Sequence, residues 1–202
     1  SSGAFIWDAS AEPPTALARW RVVSETHPGV EDVNDVNFKI KNQVLTLYVN
    51  DLDTNGDVYC TAPGSDTNTG LSASSPLDDP STALARFELS GGDTIYIDTG
   101  LYFPTNELGL TVGLVGDEAE FGLTNLPITI RGSTNLGAGG STIFASGTNG
   151  HGLEVRSTSF VDIEYLRLFG GLDGLRVINC EDINVAHVEA FNFNLSGVVL
   201  SQ

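Results

Sequence analysis

The feature that most constrains this chain is an echo near its C-terminal end. Placing Gly152-Leu153-Glu154-Val155 over Gly174-Leu175-Arg176-Val177 keeps the following residues in register. Val161 falls on Ile183, Ile163 on Val185, Leu166 on Val188, Leu168 on Ala190 and Phe169 on Phe191, every pair 22 residues apart. A third copy opens at Gly197-Val198-Val199, one residue late. Upstream, Ile128-Thr129-Ile130 and Thr142-Ile143-Phe144 read as strands of an earlier, less regular turn. Short β-branched runs separated by Gly, Asn and Ser cannot bury an apolar face alone, whereas copies stacked on one another share a continuous core. The pattern predicts an all-β solenoid, a parallel β-helix of about four coils. A leucine-rich repeat is the rival at this period. It needs Leu-x-x-Leu-x-Leu followed by Asn or Cys, which Ile178-Asn179-Cys180 mimics only weakly.

Composition narrows the function classes. Of 202 residues 41% are hydrophobic, too many for a disordered acidic tail. Nine Lys and Arg against 26 Asp and Glu leave a formal charge of −17, a field that repels phosphate backbones and anionic lipid. No nucleic-acid partner is expected. Membrane insertion is not expected either, because no apolar run approaches the roughly 20 residues of a spanning helix. The acidic, lysine-poor balance points to an extracellular or cell-surface location. Cys60 and Cys180 form neither a disulfide framework nor a metal-ligand pattern, and a single bridge and two buried thiols both remain open. A chain without Met and without a leader pattern at Ser1 reads as a segment of something longer.

Three zones follow. Residues 1–47 are heterogeneous: Ala4-Phe5-Ile6-Trp7, a Pro13-Pro14 break, and an alternating Val36, Phe38, Ile40 that predicts a strand. Pro14-Thr15-Ala16-Leu17-Ala18-Arg19-Trp20 echoes Ser81-Thr82-Ala83-Leu84-Ala85-Arg86-Phe87, either by chance or as two similar short helices. Residues 48–92 are turn-rich and end in a capping helix expected over Pro80–Leu89, with Ala83, Leu84 and Phe87 on one face and Gly91-Gly92 as its stop. Residues 93–202 form the coils. Their inward positions should include Ile95, Ile97, Ile128, Ile130, Val155, Val161, Ile163, Leu166, Val177, Ile183, Val185 and Val188.

The lead-in carries a family resemblance. Tyr48-Val49-Asn50-Asp51, Gly56-Asp57-Val58-Tyr59, Gly64-Ser65-Asp66-Thr67-Asn68-Thr69-Gly70-Leu71-Ser72 and Gly92-Asp93-Thr94-Ile95-Tyr96-Ile97-Asp98-Thr99-Gly100-Leu101-Tyr102 resemble the opening of secreted right-handed parallel β-helix proteins of the pectate-lyase-like superfamily. The likeness covers roughly residues 48–200 and leaves 1–47 outside. It implies the right-handed hand and the helix-bearing cap. It does not fix an activity, because the same opening serves lyases, hydrolases, epimerases and large bacterial surface proteins.

Outward positions separate enzyme from scaffold. The register sets Glu154 on Arg176 and Arg167 on Glu189, opposite charges one strand apart that suppress wrong register. A polysaccharide lyase needs an Arg or Lys base beside acidic groups, yet Lys39 and Lys41 fall before the coils, leaving Arg131, Arg156, Arg167 and Arg176. A hydrolase needs convergent carboxylates. Asp162 stacks on Asn184, Glu164 on Ala186, and Asp182 stands opposite Phe160. Arg156, Asp162, Arg167 and Asp182 are therefore the one catalytic set that can be assembled. His187 should stack on Tyr165, and His27 and His151 have no companions in the sequence.

Asp51-x-Asp53-x-Asn55-Gly56-Asp57 matches the first half of an EF-hand loop, where alternating oxygens wrap Ca²⁺. Ala62 stands where the twelfth-position acid belongs, so a hydrated Asp/Asn turn explains the same residues. Asp66-x-Asn68-x-Gly70 reads as a tight turn, Asn179 as a corner that ties neighbouring coils, and Asn194-Leu195-Ser196 as a glycosylation sequon. The favoured function is a non-enzymatic extracellular structural or adhesion scaffold, with a polysaccharide lyase or hydrolase as the alternative and carbohydrate as a possible ligand. An uncovered last coil should be met by more chain or by self-association, with residues 1–47 as the natural donor.

Overall fold

The structure is a computed structural model that describes residues 5–87, 89–106, 109–111, 126–147 and 149–201. The chain divides into two compact units, Ser1–Gln43 and Val44–Gln202.

The first unit holds β1 (Thr15–Ala18), β2 (Arg21–Val23), β3 (Glu31–Val33) and β4 (Phe38–Ile40). β1 pairs antiparallel with β4 and β2 with β3. Its apolar centre is aromatic: the Trp7 ring meets Trp20 edge-on at 4.6 Å, and Trp20 stacks on Phe38 at 5.5 Å. The strand expected from Val36 is shorter, starting at Phe38, and Val36 is exposed. The segment echoing the helix at Ser81 is the strand β1. The reason is at its start. Ser81 supplies the N–H that Asp79 captures as N-cap, at 2.7 Å, whereas the equivalent Pro14 has no N–H to give.

The second unit contains β5 (Thr46–Val49), α1 (Pro80–Arg86), β6 (Thr94–Ile97), β7 (Gly100–Tyr102), β8 (Gly109–Thr111), β9 (Ile128–Gly132), β10 (Ser141–Phe144), β11 (His151–Arg156), β12 (Ser159–Glu164), β13 (Leu166–Phe169), β14 (Asp173–Ile178), β15 (Glu181–Ala186), β16 (Glu189–Phe191) and β17 (Ser196–Ser201). From β6 on, the chain visits three sheets in rotation. The first has the order β15-β12-β9-β6-β5, the second β16-β13-β10-β7 and the third β17-β14-β11-β8. Every pairing in these sheets is parallel. β5 belongs to this stack, pairing Leu47 with Ile95, so the break between units falls before residue 47.

The 22-residue offset holds in all three sheets: Ile163 pairs with Val185, Leu168 with Ala190 and Val155 with Val177. Alternation turns each such row inward. In the first sheet Leu47, Ile95, Ile130 and Ile163 form a continuous buried ladder. Neighbouring rungs lie about 4.8 Å apart, and each buried aliphatic side chain contributes roughly 1.5–3 kcal/mol. Nine of the twelve expected inward positions are buried; Ile183, Val185 and Val188 are not, with Val185 43% exposed. They sit on β15 and just after it, in the last turn of the described stack, where no further described strand pairs with β15.

The glycines that anchor the repeat have a steric cause. A Cβ on Gly174 would stand 2.3 Å from the Gly197 carbonyl and 2.7 Å from the Ala190 Cβ, and one on Gly152 2.7 Å from the Gly174 carbonyl. The corners repeat too. Left-handed backbone occurs at Ser157 and Asn179 (φ 51° each), Phe160 and Asp182 (54° and 50°), and Tyr165 and His187 (55° and 54°). Asn enters that conformation readily, whereas Phe and Tyr do so at a cost that the surrounding stack must hold.

The helix is shorter than expected. It ends at Arg86, where Phe87 turns extended and buries itself, and Leu89 follows into the core. Two deep apolar anchors therefore stop the helix before Gly91-Gly92. Ala83 and Phe87 share the buried face, with Leu84 half-buried. Both cysteines are free thiols, Cys60 buried and Cys180 partly so, which removes the bridge.

The ladder has a measurable gradient. Ile163→Ala, in its buried middle, is expected to lose about 3 kcal/mol. Val185→Ala, one rung on but half-uncovered, should lose less than about 1 kcal/mol. Urea unfolding of the two variants checks the difference.

Candidate functional site

Five ionisable groups, His151, Glu154, Arg156, Asp173 and Arg176, lie together on β11 and β14. Register places His151 over Asp173 and Glu154 over Arg176. Glu154 Oε2 accepts from Arg176 Nη1 at 2.9 Å, as the sequence register requires, and Glu154 also takes Arg156 in a fork, Nε at 2.9 Å and Nη2 at 3.1 Å. His151 Nε2 lies 3.0 Å from Arg176 Nη1 and its Nδ1 3.3 Å from Asp173 Oδ2. Glu154 is thus wedged between two guanidiniums, and the Arg156 hydrogen bonds, followed by the charges of Arg156, Arg176 and His151, hold its carboxyl below the ordinary range against the opposing effect of burial. His151 does have companions. The same 22-residue offset that aligned Gly152 puts Asp173 on it, one position before the anchoring glycine.

The four residues of the sequence-derived catalytic set are dispersed over three sheets. Arg156 ends β11 and is held by Glu154. Asp162, on β12, stands between Thr129 and Asn184. Arg167, on β13, binds Glu189 at 3.0 Å and the Gly139 carbonyl at 3.0 Å, with its guanidinium over the Phe191 ring. Asp182 occupies an exposed left-handed corner of β15. Tyr165 and His187 stack at 4.6 Å, as expected. A row of Phe103, Phe144, Phe169 and Phe191, one ring per strand of the second sheet or its flank, runs at 4.4, 4.9 and 5.1 Å; only its last pair was visible in the sequence register.

The Asp-rich loop is organised around two buried polar side chains. Asp98, fully buried after β6, accepts from the N–H groups of Val58 and Thr99 on Oδ1, and of Tyr59 and Cys60 on Oδ2, at 2.6–2.8 Å. Asn50 donates from Nδ2 toward the carbonyls of Asp53 and Ala62 and toward Asp57 Oδ2. Within the half-motif, Asp51 accepts from the N–H of Asp53 and of Leu101, and Asp53 from Thr54 and Asn55. These oxygens serve N–H donors rather than a common centre, and among the described residues no group of three or more His, Cys, Asp or Glu could hold a metal ion. Asp57 stands apart: its Oδ1 is buried without a hydrogen-bond partner among the described residues. Burial first, and then the charges of Asp98, Asp51 and Asp53, push it up to about 6. No family model, curated protein or solved structure matches the chain.

Two titrations follow. Glu154 binds its proton less readily when folded, so its stabilisation is complete above the ordinary carboxylate range and fades as pH falls below it. Glu154→Ala should cost roughly 2 kcal/mol at neutral pH, because two guanidiniums lose a shared, poorly exposed partner; Arg167→Ala should cost about 1 kcal/mol or less. Asp57 has the opposite sign: the folded state keeps the proton that the unfolded chain has released, so stability falls as pH rises from 3.8 to about 6. Asp57→Asn is expected to raise the melting temperature at pH 7 and flatten that decline. Thermal melts across pH, with Ca²⁺ and with chelator, check this and show whether the loop takes the ion.

Proposed function

We propose that residues 44–202 form a right-handed parallel β-helix serving as a non-enzymatic, extracellular structural or adhesion scaffold. Rotation of the chain through three parallel sheets supports the β-helix reading, and the strong preference for right-handed crossovers between parallel strands supports its hand. The observation that carries the scaffold reading is how the outward charges are used. Arg176 and Arg156 close on Glu154, Arg167 on Glu189, and Arg131 on Glu164 at 3.4 Å. Each arginine that could act as a lyase base is engaged by a carboxylate, and all but one of these pairs cross between stacked strands. The acids Asp162 and Asp182 lie on β12 and β15, in a different sheet from Glu154, Arg156 and Arg176. Such pairing fixes register and leaves an acidic, largely self-satisfied exterior.

One observation favours the alternative, an enzyme acting on acidic or neutral polysaccharide. Glu154, Arg156, Arg176 and His151 gather carboxylate, guanidinium and imidazole in one place, the ingredients of acid–base work on a uronate. Incubation with pectin, alginate and neutral glycans, with and without Ca²⁺, separates the two. The scaffold reading expects neither unsaturated products nor new reducing ends. Release of either, abolished by Glu154→Gln, would establish the enzyme.

A further inference from the structure

Hydrogen-bond chemistry fixes where His151 carries its proton. A guanidinium holds five N–H donors, no acceptor and a permanent charge. Arg176 Nη1 stands 3.0 Å from His151 Nε2, so Nε2 has to offer its lone pair. A neutral imidazole has one N–H, and it then sits on Nδ1, which faces Asp173 Oδ2 at 3.3 Å. With the ring neutral, the charges of Glu154, Asp173, Arg156 and Arg176 cancel. They do so in a poorly hydrated place, where the side chains of His151 and Asp173 are each 8% exposed and that of Glu154 14%.

A second proton on the ring reverses the contact. Nε2–H and Arg176 Nη1–H become two donors face to face, and the five groups carry one positive charge too many where water cannot hydrate it. Departure of one guanidinium removes both faults. Arg156 grips Glu154 through two N–H groups, Nε and Nη2, whereas Arg176 meets both Glu154 and the ring through the single atom Nη1. Arg176 is also 32% exposed, so solvent is within its reach. Behind it, Glu154 Oε2 lies 3.9 Å from Nε2, within one small movement of a hydrogen bond. We infer that His151 is a pH-driven exchange switch: its protonation displaces Arg176 from Glu154, the imidazolium takes over Oε2, and the guanidinium swings into solvent. The link between β11 and β14 survives, because charged His151 now pairs with Asp173 across the same two strands. Acid therefore frees a cation on an acidic exterior without unzipping the stack. The other strands packed against β11 do not compete: β8 contributes Gly, Leu and Thr, and Arg167 of β13 is held by Glu189.

The exchange needs neither the scaffold nor the enzyme reading, and glycan cleavage or its absence leaves it untouched. Nuclear magnetic resonance of the 202-residue chain tests it, with nitrogen-15 signals of the imidazole and guanidinium groups followed as the pH is lowered from about 8, above the window in which imidazoles ordinarily titrate. At the start His151 is expected as the Nδ1–H tautomer, with Nε2 unprotonated. As Nε2 gains its proton, the Arg176 guanidinium signals should shift with the same midpoint, toward those of a freely rotating side chain, while the backbone amide spectrum keeps its dispersion. His151→Gln supplies the control, since its amide oxygen can accept from Arg176 but takes no second proton. In that variant the Arg176 signals should stay still over the same range. Four results overturn the switch: an Nε2–H tautomer or a charged ring at the start, Arg176 signals that ignore the titration of His151, Arg176 signals that move equally in His151→Gln, or a ring that stays neutral until the chain unfolds. Should His151→Gln fail to fold, the tautomer and the shared midpoint in the wild type still decide the matter.

Discussion

In a stack of parallel strands each backbone N–H and C=O in the middle of a sheet depends on the strand above or below, and that dependence fixes which residues of successive passages stand side by side. The side-chain period of a strand is two, so a slip of one residue would turn every inward aliphatic outward. The length of 22 residues between Val155 and Val177, Ile163 and Val185, and Leu168 and Ala190 is the visible result. The rest follows from that register. Leu47, Ile95, Ile130 and Ile163 can form one ladder because their strands are in register. Gly152 and Gly174 must be glycine because adjacent copies approach within the reach of a Cβ. Phe160 and Tyr165 can be held in left-handed backbone because the same corner is imposed again at Asp182 and His187.

The exterior obeys the same spacing and gives the protein its chemical character. Strands about 4.8 Å apart bring Glu154 to Arg176 and Arg167 to Glu189, so most arginines of the stack are satisfied by the neighbouring strand rather than presented to a ligand. Asp98 does comparable work in the interior. Its two oxygens gather four backbone N–H groups and bind the loop at Val58–Cys60 to the start of the stack. Three of the chain's nine cations, Arg131, Arg167 and Arg176, are engaged by carboxylates on neighbouring strands.

What the sequence disclosed depended on how regular each passage was. Between β11 and β17 the copies are equal or one residue out, so the stacking of Val155 on Val177 and the partners of Glu154 and Arg167 could be read directly. Earlier passages hide the period: Ile95 to Ile130 spans 35 residues and Ile130 to Ile163 spans 33. The same irregularity concealed β5 as a member of the first sheet and the alignment of Phe103, Phe144 and Phe169. His151 escaped for a smaller reason, since it lies one residue before the glycine used to align the copies. The helix end at Arg86 was set by burial of Phe87 and Leu89, which propensity and glycine stops do not report. Asp98 resembles any strand-end aspartate until the loop some forty residues earlier folds onto it.

The central claim is that in-register pairing, 22 residues apart between β11 and β14, β12 and β15, and β13 and β16, builds the stack, and deletion tests it most directly. Removing Arg156–Val177 joins Val155 to Ile178 and takes out one whole passage, 22 residues, leaving every remaining side chain on its proper face. Removing Arg156–Arg176 takes out one residue fewer and reverses inside and outside for the rest of the strand that the junction enters. The first shortened chain should give a β-type circular dichroism spectrum and a cooperative, somewhat weaker urea transition, and the second should give neither. If the two behave alike, whether both fold or both fail, the register does not govern this fold.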